Sequence, residues 1–474
     1  VVKCWYQAGT AWKTTEQERN KKILVPELLL KDDSLVKRDD KNKENYLRLT
    51  FPEGEKYEWI SNPDEKPDGK SSVKTLKNQD FPVKDSSVLL PFDIQAGKNQ
   101  QIWVTIKAPE NTAAGIYKGK IKLLQGTKTI GHFDIKANIW PFKLPARPYY
   151  TSSVYYRGKL SNKYPQGTIS SEFKSKEQLK AELKNMLDHG VSNPLCYQPF
   201  NNKKLLNEYL QIRKESGIDS PDLYYCYGIN IECGASPESM KQLKARVQKV
   251  MDFLKKHGIS EVYFYGRDEA KGKRLMTQRK SWDVIHKAGG KVIVTGIPKE
   301  NFERMGDIQD LLICYGPPSK AEAEKWHSQN HKIWCYSNPQ GGVENPGVYR
   351  RNYGIRLWQN NYDGASTFAY HFSYGNIWND FDGHYRDENL TYPTIDGVID
   401  TIAWEGYREA VDDARYLTAL EDEIKKARKK REKIKAVEKA EKYVENLKRD
   451  DFYKINLNEM RAKAAKHIIN LKKP

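Results

Sequence analysis

The stretch YFYGRDEA, Tyr263 to Ala270, runs strand-forming aromatics into a glycine and then two adjacent carboxylates, Asp268 and Glu269, with Arg267 just before them. Neighbours on a strand point to opposite faces, so two adjacent acids within one could not share a ligand. The alternation stops at Gly266. Beyond it the backbone can turn, and both acids can face one ligand. Like charges close together push one pKa up, so one carboxylate can stay ionised while its neighbour keeps a proton. A protonated acid there can donate to a leaving oxygen. Plain surface pairs also occur, as in Asp32–Asp33, Asp39–Asp40 and Asp412–Asp413. The place of Asp268–Glu269 after a strand is what singles it out.

Other apolar runs end in groups that suit the same site. SSVYYRG brings Tyr156 and Arg157, and DLYYCYG brings Tyr225 and Tyr227. HKIWCYSNP supplies Trp334, Tyr336 and Asn338, with Gln340 beyond. ASTFAYHFSYG supplies Tyr370, His371 and Tyr374. IWNDFDGHYRDENLTYP adds Trp378, Asp380, Asp382, His384 and Arg386. An aromatic pocket with a few polar anchors suits a pyranose, because Tyr and Trp join an apolar face to a polar handle. The chain holds 29 Tyr and 11 Trp. About half of the strand aromatics are expected to fill a core instead.

Metal chemistry has less support. Asp380 and Asp382 resemble part of a calcium loop but lack EF-hand spacing, and the histidines lack HExxH spacing. The six cysteines form no CxxC pair. No Ser or Cys sits in a nucleophile elbow. No metal and no cofactor is expected. Cys196, Cys226, Cys314 and Cys335 lie in apolar runs and read as buried thiols, with a Cys226–Cys233 loop closure as the alternative.

These residues need elements to position them. At 474 residues the chain suggests two or three units. Residues 1–143 read as a β-sandwich. VLLPFDIQAGKNQQIWVTIKAPENTAAGIYKGKIKLLQG alternates apolar and polar positions between turn signals at AGKN, APENTAAG and QGTK. This region is expected to be structural rather than a carbohydrate-binding module. A proline-rich linker follows, KANIWPFKLPARP. Over 147–410, eight strand candidates alternate with helices such as KEQLKAELKNMLDHG and MKQLKARVQKVMDFLKKHG. The strands are SSVYYRG, VSNPLCYQ, DLYYCYG, EVYFYGRDEA, KVIVTG, LLICYG, HKIWCYSNP and ASTFAYHFSYG. That rhythm predicts a closed (β/α)8 TIM-type barrel, with an open doubly wound sheet as runner-up. The site would be built at the strand ends. Residues 411–474 read as a C-terminal helical extension, helical to the end.

Net charge is +18, with much of the excess around Lys425–Lys435. Acids interleave there, so a solvated helical face is the default. Such a charge favours anionic partners, but no nucleic-acid motif is present. No apolar run reaches membrane-spanning length. VVKCWYQAG reads as mid-strand, so Val1 is taken as a trimmed start. A secreted or periplasmic location is expected.

Three segments resemble the family-123 glycoside hydrolases and their wider relatives. QIWVTIKAPENTAAGIYKGKIKL resembles the end of that family's N-terminal β-sandwich. YFYGRDEA resembles its strand ending in an Asp-Glu pair. IRLWQNNYDGASTFAYHFSYGNIWNDF, with LTYPTIDGVIDTIAWEGYREAVDDARYLTALE, resembles its C-terminal signature. The resemblance implies a β-N-acetylgalactosaminidase-like enzyme. Its substrate's own 2-acetamido oxygen would be the nucleophile, with retention of configuration. It also implies that Asp268 orients the acetamido group and that Glu269 protonates the leaving oxygen, then activates water. Ala270 stands where the family usually has Pro. Expected sugar contacts are Tyr156, Arg157, Tyr227, Arg267, Trp334, Tyr336, Asn338, Tyr370, His371, Trp378 and Asp380. The substrate is expected within an anionic or sulfated glycan. Alternatives are a glycosidase pairing Glu269 with a distant carboxylate such as Asp380 or Asp382, and a non-catalytic glycan-binding barrel.

Overall fold

The computed structural model describes residues 1–10, 15–19, 21–65, 75–226, 231, 234, 236–342, 344–383 and 385–473. The chain forms two compact units. The first is Val1–Gln101 with Tyr149–Asp412, and the second is Ile102–Pro148 with Asp413–Pro474.

In the first unit the N-terminal residues make antiparallel sheets. Val2–Gln7 pairs with Lys22–Leu28. Glu44–Phe51 lies between Val36–Asp39 and Gly54–Trp59. Alternation works here as the sequence implies: Asn45, Leu47 and Leu49 point inward along one strand. Their core takes in Cys4, Leu28, Leu35 and Val83, together with Trp378 and Tyr392 from far along the chain.

The rest of the unit is built on one parallel sheet. In order, its strands are Asp222–Tyr225, Glu261–Tyr265, Lys291–Gly296, Leu311–Cys314, Lys332–Cys335, Gly364–Thr367 and Thr151–Val154. Their near-continuous apolar runs are what a sheet covered on both faces requires. Leu311–Cys314 is buried at every position. The helices between the strands bring apolar faces to it. Lys176–Asp188, started by a capping box from Ser175 and Gln178, buries Leu179, Leu183 and Met186.

The expected closed eight-stranded barrel is corrected here to a curled, open sheet of seven strands. VSNPLCYQ does lie between its expected neighbours. Ser192 and Leu195 N–H donate to Ser152 and Val154 O, and Cys196 N–H donates to Tyr224 O. The only β-bridge in this segment among the described residues is Cys196 to Tyr225. Pro194 has no N–H and a fixed φ, so it cannot continue a ladder.

The second unit contains a long hairpin, Gly115–Gln125 with Lys128–Ile139. Its turn at QGTK places Gly126 at φ +59°, a conformation suited to glycine. The strands expected over VLLPFDIQ and QIWVTIK do not pair, and Val88, Leu89, Ile102 and Val104 are exposed. The tail is helical but not continuous. One helix, Ile402–Lys430, enters the second unit, and Ile434–Arg449 and Leu457–Lys472 follow. Arg431 and Lys433 take left-handed backbone at the first break. Ala419, Leu420, Ala440, Ala464 and Ile468 form the core, with Phe142 and Leu144 against it. Asp413, fully buried, pairs with Arg461. Among the described residues no helix is long and apolar enough to cross a membrane.

Candidate active site

Asp268 and Glu269 follow the Glu261–Tyr265 strand, but the turn that unites them is not at Gly266. Sheet-type bonding continues past it: Gly266 N–H donates to Ile293 O at 2.9 Å and Glu269 N–H to Thr295 O at 3.1 Å. The break comes at Glu269 itself, with φ +46°. Left-handed backbone is uncommon for a residue with a Cβ and concentrates at functional sites. Glycine at 266 answers a different need. A Cβ there would lie 3.1 Å from Gln278 and Trp282, under the helix Arg279–Lys287.

Both carboxylates line one cleft of about 630 Å³, with Tyr155, Arg157, Lys159, Glu172, Tyr197, Tyr265, Thr295, Tyr336, Gln340, Phe368, Phe372, Tyr374, Tyr385 and Glu388. Each acid has its own hydrogen-bonding surroundings. Tyr265 OH donates to Asp268 Oδ1 at 2.8 Å. Tyr155 OH meets Tyr265 OH at 2.8 Å, and both phenols meet Thr295 Oγ1. Tyr336 OH donates to Glu269 Oε1. Burial raises the Asp268 pKa. The Tyr265 hydrogen bond works against that, and the Glu269 charge adds to it. The Asp268 and Glu269 side chains still reach the water of the cleft.

The walls are aromatic. Phe368 and Phe372 rings are 4.8 Å apart, and Phe372 and Tyr374 4.9 Å. Arg157 lies over Phe372 at 5.2 Å. It pairs with Glu172, which Lys159 also reaches at 3.1 Å. Glu388 is 3% exposed. Burial and then the Glu269 charge push its pKa up to about 8.

The structure brings together Asp268, Glu269, Arg157 and Tyr336 from the expected set, along with Gln340 and Tyr374. Tyr227 and His384 lie outside the described residues. The remaining expected contacts do not line this cleft. Trp334 fills the sheet interior with Tyr224 and Tyr263. Tyr156 OH donates to the buried Glu182 at 2.6 Å. Tyr370 OH donates to Asn185, and His371 packs beside Thr391 and Lys174. Asn338 is tied to Asn352 O. Trp378 belongs to the N-terminal core. Asp380 accepts backbone N–H groups of Gln7 and Asp387, which fixes a loop. Arg386 is buried against Glu27 and Glu344. Arg267 is half-buried, and its backbone N–H donates to Gln278. In each buried case the side chain follows its strand or loop inward.

Tyr155, Tyr265, Thr295, Phe368, Phe372, Tyr385 and Glu388 were missed by sequence reasoning. Tyr265 was already within the quoted strand. Glu388 was signalled by a second Asp-Glu pair, Asp387–Glu388, in YRDENL.

Among the described residues one group has metal-ligand atoms together, His189 with Asp400 and Glu405. Its imidazole Nδ1 lies 2.8 Å from Asn185 O, and Nε2 is 3.4 Å from Glu405. Burial depresses the histidine pKa, but the two carboxylates outweigh it and hold it above the ordinary value. A protonated imidazole satisfies this group as an ion network. The five described cysteines, Cys4, Cys196, Cys226, Cys314 and Cys335, are buried free thiols.

Two family models match the chain. Residues 63–125 match the glycoside hydrolase 123 N-terminal domain, and residues 204–420 match the glycoside hydrolase 123 catalytic domain. No curated protein matches the chain. Among solved structures, a family 39 glycoside hydrolase from the gut symbiont Bacteroides cellulosilyticus WH2 is 10% identical, over 63% of this chain and 71% of its own, with TM-score 0.39. A b-glucuronidase from Ruminococcus gnavus is 10% identical, over 79% and 66%, with TM-score 0.35.

Proposed function

The chain belongs to the glycoside hydrolase 123 family and is a glycoside hydrolase, and from that premise we propose that it cleaves the β-glycosidic bond of a 2-acetamido sugar, GalNAc-like, with retention through its substrate's own acetamido group. The observation that carries this is the placement of two sequence-adjacent acids in one cleft with separate hydrogen-bond partners. The acetamido carbonyl oxygen attacks the anomeric carbon and forms an oxazoline ring. Asp268, oriented by Tyr265, accepts the acetamido N–H and stabilises the positive charge that develops there. Glu269 gives its proton to the departing oxygen. It then takes one from the water that opens the ring. The aromatic walls hold the ring of the sugar.

The anionic context of the substrate rests on the net charge of +18. A second reading uses a protein carboxylate as nucleophile. Asp380 and Asp382 do not line the cleft, so Glu388 or Glu172 is the residue it would need. Matched aryl glycosides with 2-acetamido and 2-hydroxy groups separate the two. Hydrolysis of the acetamido sugar alone, with inhibition by a thiazoline that mimics the oxazoline, is the expected result. Equal rates on both sugars would promote the second reading. Equal affinity for sulfated and neutral oligosaccharides at low and high salt would remove the anionic element.

A further inference from the structure

The reaction above leaves two carboxyl groups of the cleft without a task, and Glu172 is taken up by Arg157 and Lys159, which leaves Glu388. Glu388 lies on the segment beside the exit of the Gly364–Thr367 strand. Its N–H donates to Phe372 O at 3.2 Å, and its C=O accepts from Ala369 N–H at 3.3 Å. The side chain lines the same cleft as Asp268 and Glu269, yet the residue is almost fully buried. Its Oε1 is buried with no hydrogen-bond partner among the described residues. The charges around it are unfavourable to a second anion. The Glu269 carboxylate acts on it. Tyr385 beside it is a phenol whose own pKa is raised first by burial. The two cations of the cleft, Arg157 and Lys159, are both engaged by Glu172. An ionised carboxylate here would be buried and would face the Glu269 charge, which is costly. A carboxylic acid avoids that cost and puts an O–H donor on a side chain that lines the cleft.

We propose that Glu388 is held as the un-ionised acid and donates a hydrogen bond from its carboxyl O–H to a hydroxyl oxygen of the bound sugar, so that it determines which sugar the cleft accepts. A pKa near 8 keeps that proton through the neutral range. Above it the donor becomes an acceptor, and a sugar hydroxyl oxygen loses its partner. A protonated Glu388 is also a poor nucleophile, which weighs against the second reading. The proposal rests on the function proposed above only for its probe, an aryl 2-acetamido-β-galactoside.

Two measurements test it. Infrared difference spectra of wild type against Glu388→Gln read the group without any turnover. A protonated-carboxyl band at about pH 6.5 that is lost by about pH 9.5 is expected from the raised pKa. A carboxylate band already present at the lower pH overturns the proposal. The kinetic arm uses the aryl glycoside and analogues that each lack one ring hydroxyl. Glu388→Ala should lose about tenfold or more in kcat/KM on the parent sugar, the worth of a buried hydrogen bond. It should lose little further on the one analogue lacking the contacted hydroxyl. Glu388→Gln, a donor of similar reach, should retain most activity and lose the alkaline rise in KM. If Gln is as poor as Ala, or every analogue responds alike, the donor role is wrong. If none of the glycosides is cleaved, the sugar assignment falls, and the infrared result still decides Glu388.

Discussion

Replacing Glu182 by Gln should unfold this protein more readily while leaving the chemistry of the folded enzyme intact. Lys174 Nζ lies 2.8 Å from Glu182 Oε1, and both side chains are 0% exposed. Lys174 also donates to Ser170 O at 2.7 Å, and Tyr156 OH donates to the other Glu182 oxygen. His371 is neutral here, because burial and the nearby ammonium push its pKa down. Burial drives Lys174 down and Glu182 up, each towards neutrality, and their mutual attraction opposes both shifts. Glu182→Gln keeps the shape and removes the counter-charge. Breaking a buried pair in this way costs about 3–5 kcal/mol. A ceiling exists, because the stranded lysine can shed its proton. From an ordinary pKa of 10.5 down to pH 7 that costs about 5 kcal/mol at 1.36 per unit. Raising the pH by two units lowers the ceiling by about 2.7 kcal/mol. Urea unfolding at both pH values, with kcat and KM on the folded enzyme, reads all of this. The expected result is a loss of several kcal/mol that shrinks at the higher pH, with KM unchanged. A loss below about 1 kcal/mol, or a large rise in KM at wild-type stability, would refute the reasoning and return Tyr156 to the sugar site.

Glu269→Gln should nearly abolish action on natural oligosaccharides yet spare aryl glycosides with very good leaving groups, whereas Asp268→Asn should slow both; identical profiles on a leaving-group series would contradict the division of labour. Tyr336→Phe removes the donor to Glu269 and should cut kcat/KM by about tenfold, the value of one hydrogen bond; an unchanged kcat/KM would place Tyr336 among the walls only. Glu388 has its pKa raised from 4.5 to about 8, so the folded state binds more protons than the unfolded between those values and this group's contribution to stability falls as pH rises. Integrated over the 3.5-unit gap, the loss is at most about 5 kcal/mol. Glu388→Gln should therefore gain stability over wild type between about pH 4.5 and 8 and keep a constant gap above; a pH-independent difference would mean that Glu388 is ionised throughout.

The acid pair was legible because a strand with period-2 aromatics running into two carboxylates is a local signal. The reason the pair converges was not. The sequence pointed to Gly266, but the strand pairing runs on and Glu269 itself turns the chain. Strand count was legible to within one, since Pro194 removes a donor in a run that otherwise reads as strand. Wall residues were harder. Trp334 and Tyr336 lie two apart on one run, so they share a face. Trp334 falls deep in the sheet interior, and Tyr336 at its open end. Alternation gives the face and not the depth along it. Asp380 and Glu388 show the same limit for loops. Both are buried acids in one segment, but the first is spent on backbone N–H groups and the second is left facing the cleft. Which one reaches the site depends on contacts with residues as distant as Gln7, which no local pattern records.

The central claim is that the nucleophile belongs to the substrate, and progressive fluorination of the acetamido methyl group tests it most directly. Each fluorine makes the carbonyl oxygen a weaker nucleophile while barely changing the size of the group. The measurement is kcat/KM for one aryl glycoside carrying acetyl, monofluoroacetyl, difluoroacetyl and trifluoroacetyl groups on the 2-amino nitrogen. If the acetamido oxygen attacks with Asp268 and Glu269 in the roles given, the logarithm of the rate should fall steeply and steadily along the series. A flat series, with every member hydrolysed at a similar rate, would mean that a carboxylate of the protein attacks instead, and would contradict the account.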